Sequence, residues 1–283
     1  MGRRADRRAR RRAGRRGRAL VRRMGAVSRT TTRSSVFVDR VYVPEGLAPG
    51  RGERGRWPFT VPAVAQLLEE DLAFTRPVTF LVGDNGSGKS TLVEAVAESF
   101  KLDAYGGRLA RVHGRPDPTK TPLGEVLRAD TTRAGARMLA GPRKNKKGFF
   151  LRAETAFDMT ENLGGVPGYW DEDTSRMSHG EGFLTMFRAM FDAPGFYVMD
   201  EPEAALSFTS CLQLVGVMHQ MGESGAQVVC ATHSPILAST PGADIVEIGD
   251  DGFHRVQWED LELVDHWRRY MSNPAAYLRH IVP

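Results

Sequence analysis

Cysteine is scarce in this sequence, and long apolar runs are absent from it. Of its 283 residues only Cys211 and Cys230 are cysteines, and both lie in apolar stretches. We therefore expect two small buried side chains rather than a disulfide or a metal site. No apolar run approaches the roughly 20 residues that a membrane-spanning helix needs, and the start has no apolar signal segment. The sequence predicts no membrane insertion and a cytoplasmic location.

Positive charge is concentrated at the N-terminus. Residues 1–23 contain twelve Arg and one Asp, so the formal net charge of +5 for the chain leaves −6 for residues 24–283. Such an Arg run repels itself and buries nothing, so we expect a disordered tail over 1–34 and one folded domain over 35–283. The tail fits a nucleic-acid partner bound by counterion release. It equally fits coding sequence upstream of a true start at Met24.

Short apolar strands alternate with helical patterns after the tail, which predicts an α/β fold with a mostly parallel, helix-covered sheet. The expected strands are Ser35–Val43, Val78–Val82, Gly195–Met199, Gln227–Thr232 and Asp244–Ile248. The expected helices are Ala63–Leu72, Leu92–Phe100, Gly182–Phe191, Phe208–Met221 and one or two within Asp260–Ile281. Composition predicts loops over Pro44–Arg56 and 101–147. The basic cluster Arg143–Lys147 fits either a solvated surface or a partner contact.

A phosphate-binding loop lies between the second expected strand and the helix after it. The stretch Gly83–Ser90 matches G-x-x-x-x-G-K-[ST] in the strand-loop-helix context that the motif requires. Its glycines let backbone N–H groups curl around phosphates, and the helix N-terminus adds partial positive charge. We expect Lys89 to reach the β- and γ-phosphates and Ser90 to offer its hydroxyl to Mg²⁺. The predicted nucleotide-binding residues are Gly83, Asp84, Asn85, Gly86, Ser87, Gly88, Lys89, Ser90 and Thr91.

Two acidic residues close the next core strand. The apolar run Phe196–Met199 is followed at once by Asp200 and Glu201, at the edge where ligands bind in open α/β sheets. We expect Asp200 to complete a Mg²⁺ shell and Glu201 to act as a catalytic residue that polarises water for attack on a γ-phosphate. Taken alone, the pair also fits an ordinary turn. Together with the phosphate loop it predicts ATP hydrolysis.

Five motifs occur in the order found in the ATP-binding-cassette ATPases, which the sequence resembles from about Val36 to its C-terminus. After the phosphate loop come Met177–Gly182, Tyr197–Pro202, Ala205–Ser207 and Ala231–Pro235. The resemblance implies a P-loop fold of that type with an N-terminal antiparallel β portion. It also implies ATP and Mg²⁺ as ligands and a homodimer that forms around ATP.

The same resemblance assigns roles to further residues. Ser178 and Gly180 match the signature that binds the γ-phosphate held by the other protomer, and His233 matches the catalytic histidine that contacts that phosphate. Ala205–Ser207 resembles the loop that carries signals across the dimer interface. Three aromatic residues upstream of the phosphate loop are candidates for stacking on adenine, and each also fits a core position. They are Tyr42, Trp57 and Phe59.

The sequence departs from transporter ATPases in three respects. From Ser178 its signature reads Ser-His-Gly-Glu-Gly, where transporters usually show Ser-Gly-Gly-Gln. No glutamine lies between Gln66 and Gln213, so the metal-contacting glutamine of the family is missing, and Glu154 is the expected metal ligand in its place. The interval from Glu154 to Ser178 is too short for the subdomain that grips a membrane partner. The sequence looks most similar to the small soluble branch akin to chromosome-maintenance and double-strand-break-repair ATPase heads.

These features are compatible with more than one function. The first hypothesis is an ATPase that acts as a nucleotide-driven dimerisation switch, with Lys89, Glu201 and His233 as its catalytic residues. The second is an ATP-gated nucleic-acid-binding regulator or defence component that works through an effector protein. An ATPase subunit of a transporter is a further alternative. A P-loop kinase is disfavoured, because it would not need the signature at Ser178.

Overall fold

The computed structural model describes residues 36–102, 107–108, 120–141, 147–152, 179–191, 193–204, 206–279 and 281–282. The strands are β1 (Val38–Tyr42), β2 (Leu72–Ala73), β3 (Val78–Gly83), β4 (Gly107–Arg108), β5 (Arg128–Thr131), β6 (Gly148–Arg152), β7 (Phe196–Asp200), β8 (Gln227–Thr232), β9 (Asp244–Gly249) and β10 (Gly252–Val256). The helices are α1 (Arg51–Arg54), α2 (Pro62–Leu67), α3 (Lys89–Ser99), α4 (Pro122–Val126), α5 (Arg133–Ala140), α6 (His179–Met190), α7 (Phe208–Glu223), α8 (Pro235–Ala238), α9 (Glu262–Ser272) and α10 (Pro274–Leu278).

The larger sheet has seven strands in the order β10-β9-β3-β8-β7-β6-β4. The five strands from β9 to β6 run parallel, whereas β10 and β4 are antiparallel to their neighbours. A separate antiparallel sheet has the order β2-β1-β5. The predicted α/β fold, with a mostly parallel core sheet and an antiparallel portion that includes the first strand, is confirmed.

Each face of the larger sheet has its own apolar cluster, because alternate side chains of a strand point to opposite faces. On β3, the buried Leu81 packs in the cluster that contains α2 and α3, whereas Phe80 and Val82 pack in the cluster that contains α6 and α7. The predicted buried cysteines, Cys211 and Cys230, are free thiols of the second cluster, as expected. No helix in the described ranges is both long and apolar enough to cross a bilayer.

Most predicted core elements are confirmed, and the strand at Gln227–Thr232 has the predicted bounds. The helix expected over Ala63–Leu72 is shorter, because it ends at Leu67 and Leu72 begins β2. The strands β2, β4, β5, β6 and β10 are additions to the predicted set. The boundary proposed between the tail and the domain stays a prediction, because residues 1–35 lie outside the described ranges.

Two loop predictions are wrong. The segment Pro44–Arg56 contains a 3₁₀ turn at Glu45–Leu47 and the short helix α1. The segment 101–147 contains β4, α4, β5 and α5 in its described part. Composition alone suggested irregular chain in both places, since each stretch is polar and rich in glycine.

Threonine caps explain the two helices inside segment 101–147. The Thr121 hydroxyl accepts a hydrogen bond from Gly124 N at the start of α4, and the Thr132 hydroxyl accepts one from Gly135 N at the start of α5. A capping oxygen satisfies an N–H group that a helix start otherwise leaves without a partner. Helices therefore form in this polar stretch, although each is too short to show a clear apolar period in the sequence.

A buried side chain, that of Gln227 at the start of β8, hydrogen-bonds the small sheet to the core. Its Oε1 accepts hydrogen bonds from Phe37 N at 2.6 Å and Val38 N at 2.9 Å, and its Nε2 donates to Val38 O at 2.9 Å. Gln227 is fully buried. Three backbone groups of the first strand thus depend on one amide for their hydrogen bonds.

Replacing Gln227 with Leu should lower the free energy of unfolding by about 3–5 kcal/mol, because each buried group left without a partner costs about 1–3 kcal/mol. Urea denaturation would measure the change. The matched control is Gln213→Leu, since Gln213 is exposed on α7 and should change stability by less than about 0.5 kcal/mol. A fall in the free energy of unfolding of less than about 1 kcal/mol for Gln227→Leu would contradict this role of the Gln227 amide.

Candidate functional site

The candidate site lies where β3, β8 and β7 end side by side. These three strands are neighbours and parallel, so their carboxyl ends meet at one edge of the sheet. The phosphate loop follows β3, His233 follows β8, and Asp200 and Glu201 stand at the end of β7. Residues far apart in sequence are thereby brought to one place.

The phosphate loop is held in a conformation that two of its glycines make possible. Gly88 has φ +101° in the left-handed region, and a Cβ there would come within 2.6 Å of Val61 Cγ1. A Cβ at Gly83 would come within 2.2 Å of Ile248 O on β9. Only glycine fits both places. The loop therefore packs directly against its neighbours and leaves Asp84, Asn85 and Gly86 exposed.

Lys89, the first residue of α3, lies folded back over this loop. Its Nζ donates hydrogen bonds to Gly83 O at 2.8 Å and Asp84 O at 2.9 Å, and the residue is only 3% exposed. Burial lowers the pKa of Lys89, and the nearby carboxylates of Glu201 and Asp200 oppose that shift. The ammonium group is thus poised beside the space that a phosphate would fill.

Ser87 offers a further donor in the same loop. Its Oγ is buried and has no hydrogen-bond partner within the described part of the chain. A buried hydroxyl without a partner is costly, and a bound oxyanion would supply the missing acceptor. The next residues, Ser90 and Thr91, form the first turn of α3, whose N-terminus favours negative charge. The loop therefore fits a polyphosphate.

Asp200 and Ser90 form the pair expected to hold magnesium. The Ser90 hydroxyl donates to Asp200 Oδ1 at 3.1 Å, and Asp200 is 9% exposed. Burial raises the pKa of Asp200 to about 6, and the hydrogen bond from Ser90 partly opposes the shift. One carboxylate and one hydroxyl suit Mg²⁺, which retains waters and takes other ligands from the substrate phosphates. The residues present fit the ion.

The raised pKa of Asp200 predicts how pH affects the ligand-free protein. The folded-state pKa of this carboxyl group, about 6, exceeds its ordinary value of 3.8. Its contribution to the stability of the folded protein therefore declines as pH rises from about 4 through 6. Asp200→Asn should therefore stabilise the ligand-free protein at pH 8, and its advantage should be about 1 kcal/mol smaller at pH 5. Urea denaturation at the two pH values measures this. The exposed Asp39 provides the control Asp39→Asn, and an equal gain at both pH values would contradict the effect.

Glu201 and His233 face each other across the ends of β7 and β8. Glu201 Oε1 lies 3.5 Å from His233 Nδ1, and their side chains are 29% and 36% exposed. Glu201 has φ +49° and its N–H donates to Ala231 O at 3.0 Å. A left-handed conformation at a residue other than glycine stores strain and is typical of functional positions. A carboxylate and an imidazole thus converge on the space above the phosphate loop.

Glu203 supports this pair from beneath and was given no role by the sequence. Its Oε1 accepts a hydrogen bond from the Thr232 hydroxyl and another from His233 N at 3.0 Å. Glu203 is 8% exposed, burial raises its pKa, and its Oε2 has no partner among the described residues. It fixes the backbone at His233. The available signal was a third acid, after Asp200 and Glu201, directly beyond a buried strand.

Other predicted positions lie outside or at the edge of the described ranges. Ser178, Glu154 and Ala205 are outside them, so their assignments stay predictions. Gly180 lies in the first turn of α6, a helix that starts at His179. The chain between β6 and α6, which contains the expected metal ligand, is not described.

The three upstream aromatic candidates differ in accessibility. Phe59 is 9% exposed and belongs to a core cluster, and the ring of Tyr42 lies 5.1 Å from the guanidinium carbon of Arg40. Trp57 is 63% exposed. Of the three, Phe59 is thus a core residue and Trp57 offers the freest ring.

Comparison with known proteins gives matches of low identity. A family model described as an AAA domain matches residues 63–99. The ribose import ATP-binding protein RbsA 1 of Streptomyces avermitilis is 28% identical over 190 residues, which are 62% of this chain and 36% of that protein. The molybdenum import ATP-binding protein ModC of Methylococcus capsulatus is 28% identical over 176 residues, 59% of this chain and 49% of that protein.

Solved structures with a similar arrangement include the SMC head domain from Thermotoga maritima. It has a TM-score of 0.43 and 17% identity, and the match covers 78% of this chain and 98% of that one. The cbiO1 protein from Clostridium perfringens, part of an ABC transporter complex, has a TM-score of 0.41 and 16% identity, with coverage of 75% and 90%. The chain spans less than half the length of the curated relatives named above.

Proposed function

We propose, from the premise that the chain is a P-loop ATPase of the ATP-binding-cassette type, that it binds ATP with Mg²⁺, pairs with a second copy of itself and hydrolyses the nucleotide. The observation that carries the proposal is the convergence of Lys89, the Ser90–Asp200 pair and the Glu201–His233 pair at one sheet edge. It would act as a switch in the cytoplasm, because two copies would associate when ATP is bound and dissociate after hydrolysis.

Binding would begin at the phosphate loop. Its backbone N–H groups and the free Ser87 hydroxyl would receive the phosphate oxygens. Lys89 would exchange its present acceptors, Gly83 O and Asp84 O, for the more negative β- and γ-phosphate oxygens. Asp200 and Ser90 would hold Mg²⁺, which supplies charge neutralisation at the phosphates when bound.

Hydrolysis would depend on the Glu201–His233 pair. Glu201 is half-buried and retains an accessible carboxylate, so it is suited to accept a proton from the attacking water. His233, held at its backbone by Glu203, would donate a hydrogen bond toward the γ-phosphate and orient the same water. The left-handed turn at Glu201 directs the chain so that both groups border one space.

Pairing would follow because the residues that contact one γ-phosphate would come from two different chains. Lys89 belongs to the loop that holds the nucleotide, and Ser178 and Gly180 would contact the same nucleotide from the partner, as the family resemblance implies. The helix α6 starts at His179, and the N–H groups of a first helical turn are suited to an anion. ATP would thus be the bridge between two copies.

Sedimentation with a hydrolysis-impaired variant tests this proposal. Glu201→Gln with Mg²⁺ and ATP should sediment as a species of twice the 31.3 kDa chain mass, and with ADP it should sediment as the monomer. The matched control is Glu201→Gln combined with Ser178→Arg, which should bind ATP as a monomer because only the contact made across the dimer is blocked. A monomer in both variants at saturating ATP would refute pairing.

A further inference from the structure

The two groups assigned to hydrolysis stand on separate segments of the chain. Glu201 follows β7 and His233 follows β8. Among the described residues, the last backbone hydrogen bond that joins these segments runs from Glu201 N to Ala231 O at 3.0 Å. Beyond it the chain at Glu201 turns away from the strand direction, with φ +49°. The ladder of the sheet therefore ends before His233, and backbone pairing alone does not fix the histidine beside the carboxylate.

The side chain of Glu203 joins the two segments past the end of this ladder. Glu203 lies two residues after Glu201. Its Oε1 accepts a hydrogen bond from His233 N at 3.0 Å and another from the hydroxyl of Thr232, the residue before the histidine. One oxygen on the first segment thus receives two donors from the second. The position of the His233 backbone relative to Glu201 depends on this contact.

Further hydrogen bonds hold both ends of this bridge in place. The Thr232 hydroxyl also accepts from Ser234 N at 3.0 Å, so its direction is set on both sides. The Glu203 carbonyl oxygen accepts from Leu206 N at 2.8 Å, which closes the turn around the acid. Glu203 and Thr232 are 8% and 0% exposed, and buried hydrogen bonds are stronger than those for which water competes. The bridge is therefore rigid.

Rigid placement matters at this point because hydrolysis needs the base and the histidine around one water. Glu201 Oε1 lies 3.5 Å from His233 Nδ1. A displacement of about 1 Å in a reacting group can slow a reaction about a hundredfold. Glu203 itself is too buried to meet a substrate, so its effect on the reaction must pass through the histidine.

We propose that Glu203 is a positioning residue for ATP hydrolysis, whose Oε1 sets the place of His233 beside Glu201. This inference rests on the proposed function and adds to it the residue that sets the spacing of its two reacting groups. The contact needs an acceptor and not a charge, because Oε2 has no hydrogen-bond partner among the described residues. An amide at this position should therefore serve as well as a carboxylate.

Steady-state kinetics of two substitutions test the role. Glu203→Met removes both acceptor oxygens and keeps the length of the side chain, so kcat should fall about tenfold to a hundredfold. KM for ATP should stay within about threefold, because the contacts of the phosphate loop do not change. Glu203→Gln keeps the acceptor and should retain kcat within about threefold. A kcat of Glu203→Met within about twofold of the unsubstituted value, or an equal loss in both variants, overturns the proposal.

A double-mutant cycle tests whether Glu203 acts through the histidine. In a His233→Ala background, adding Glu203→Met should lower kcat by less than about twofold, since the effects of residues that act as one unit do not add. The same loss in both backgrounds would show that Glu203 works independently of His233, which overturns the positioning role. If the unsubstituted protein hydrolyses no ATP, the proposed function fails and the role in hydrolysis fails with it.

Amide hydrogen exchange of the ligand-free protein reads the contact without hydrolysis. The His233 N–H should be protected in the unsubstituted protein and in Glu203→Gln, and it should exchange at least about tenfold faster in Glu203→Met. Such a local change, with the exchange of the core strands unchanged, distinguishes loss of the contact from loss of the fold. A His233 N–H that exchanges freely in the unsubstituted protein overturns the proposal even if Glu203→Met does not fold.

Discussion

Replacing Glu201 with Gln should slow ATP hydrolysis at least about a hundredfold, because a positioned general base contributes about 10²–10⁴ in rate. The amide keeps the size of the side chain and loses the ability to accept a proton. The carboxylate lies at the end of β7, 3.5 Å from His233 and 29% exposed, so water can reach it. ATP affinity should change by less than about threefold, because the amide keeps the size of the side chain. Phosphate release under saturating ATP measures the rate, and equilibrium binding measures the affinity.

The control for this result is Glu223→Gln. Glu223 is an exposed acid at the C-terminal end of α7, before the amino end of β8 and so at the opposite end of that strand from His233, and its substitution should leave the rate unchanged. If the hydrolysis rate of Glu201→Gln were within about fivefold of that of the unsubstituted protein, another group would have to act as the general base. Loss of ATP binding in that variant would instead indicate a structural role for Glu201.

Replacing Lys89 with Ala should weaken ATP binding by roughly two to three orders of magnitude, since removal of one partner of a buried charge pair costs about 2–5 kcal/mol. Lys89 is 3% exposed, and its Nζ donates to Gly83 O and Asp84 O. The acids Asp200 and Glu201 would then face a triphosphate without the charge of the lysine ammonium group. Calorimetry with ATP measures the loss.

Lys120→Ala is the matched control for the lysine, because Lys120 is exposed. It removes the same charge and should leave ATP affinity unchanged. If Lys89→Ala binds ATP within about fivefold of the unsubstituted protein, the loop does not hold the phosphates in the way that we propose. Circular dichroism would show that both variants keep the fold.

The core strands could be predicted because each is a continuous apolar run that ends at a polar group. Gln227–Thr232 is buried at every position and has the predicted bounds, and Phe196–Asp200 differs by one residue at each end. Such runs need no long-range information. β10 has a half-exposed pattern over Gly252–Val256, and a strand of this kind is defined by its partner β9 rather than by its own sequence.

The candidate site was predictable to the extent that its groups lie in local motifs. The loop Gly83–Ser90, the acids after β7 and the histidine after β8 each follow a strand, and the structure places them at one sheet edge. The support given by Glu203 was missed because its acceptor role depends on Thr232, 29 residues away.

The amide of Gln227 has a consequence for the time course of synthesis. It bonds to Phe37 N across 190 residues of chain, so the first strand leaves the ribosome long before its partner exists. At about 5–20 residues per second, the wait is roughly 10–40 s. During that interval the backbone groups at the start of β1 lack this partner, and unpaired strand groups of this kind are what chaperones cover and what promotes aggregation. The Gln227→Leu variant would never supply the partner, so its yield in the cell should fall by more than its equilibrium stability implies.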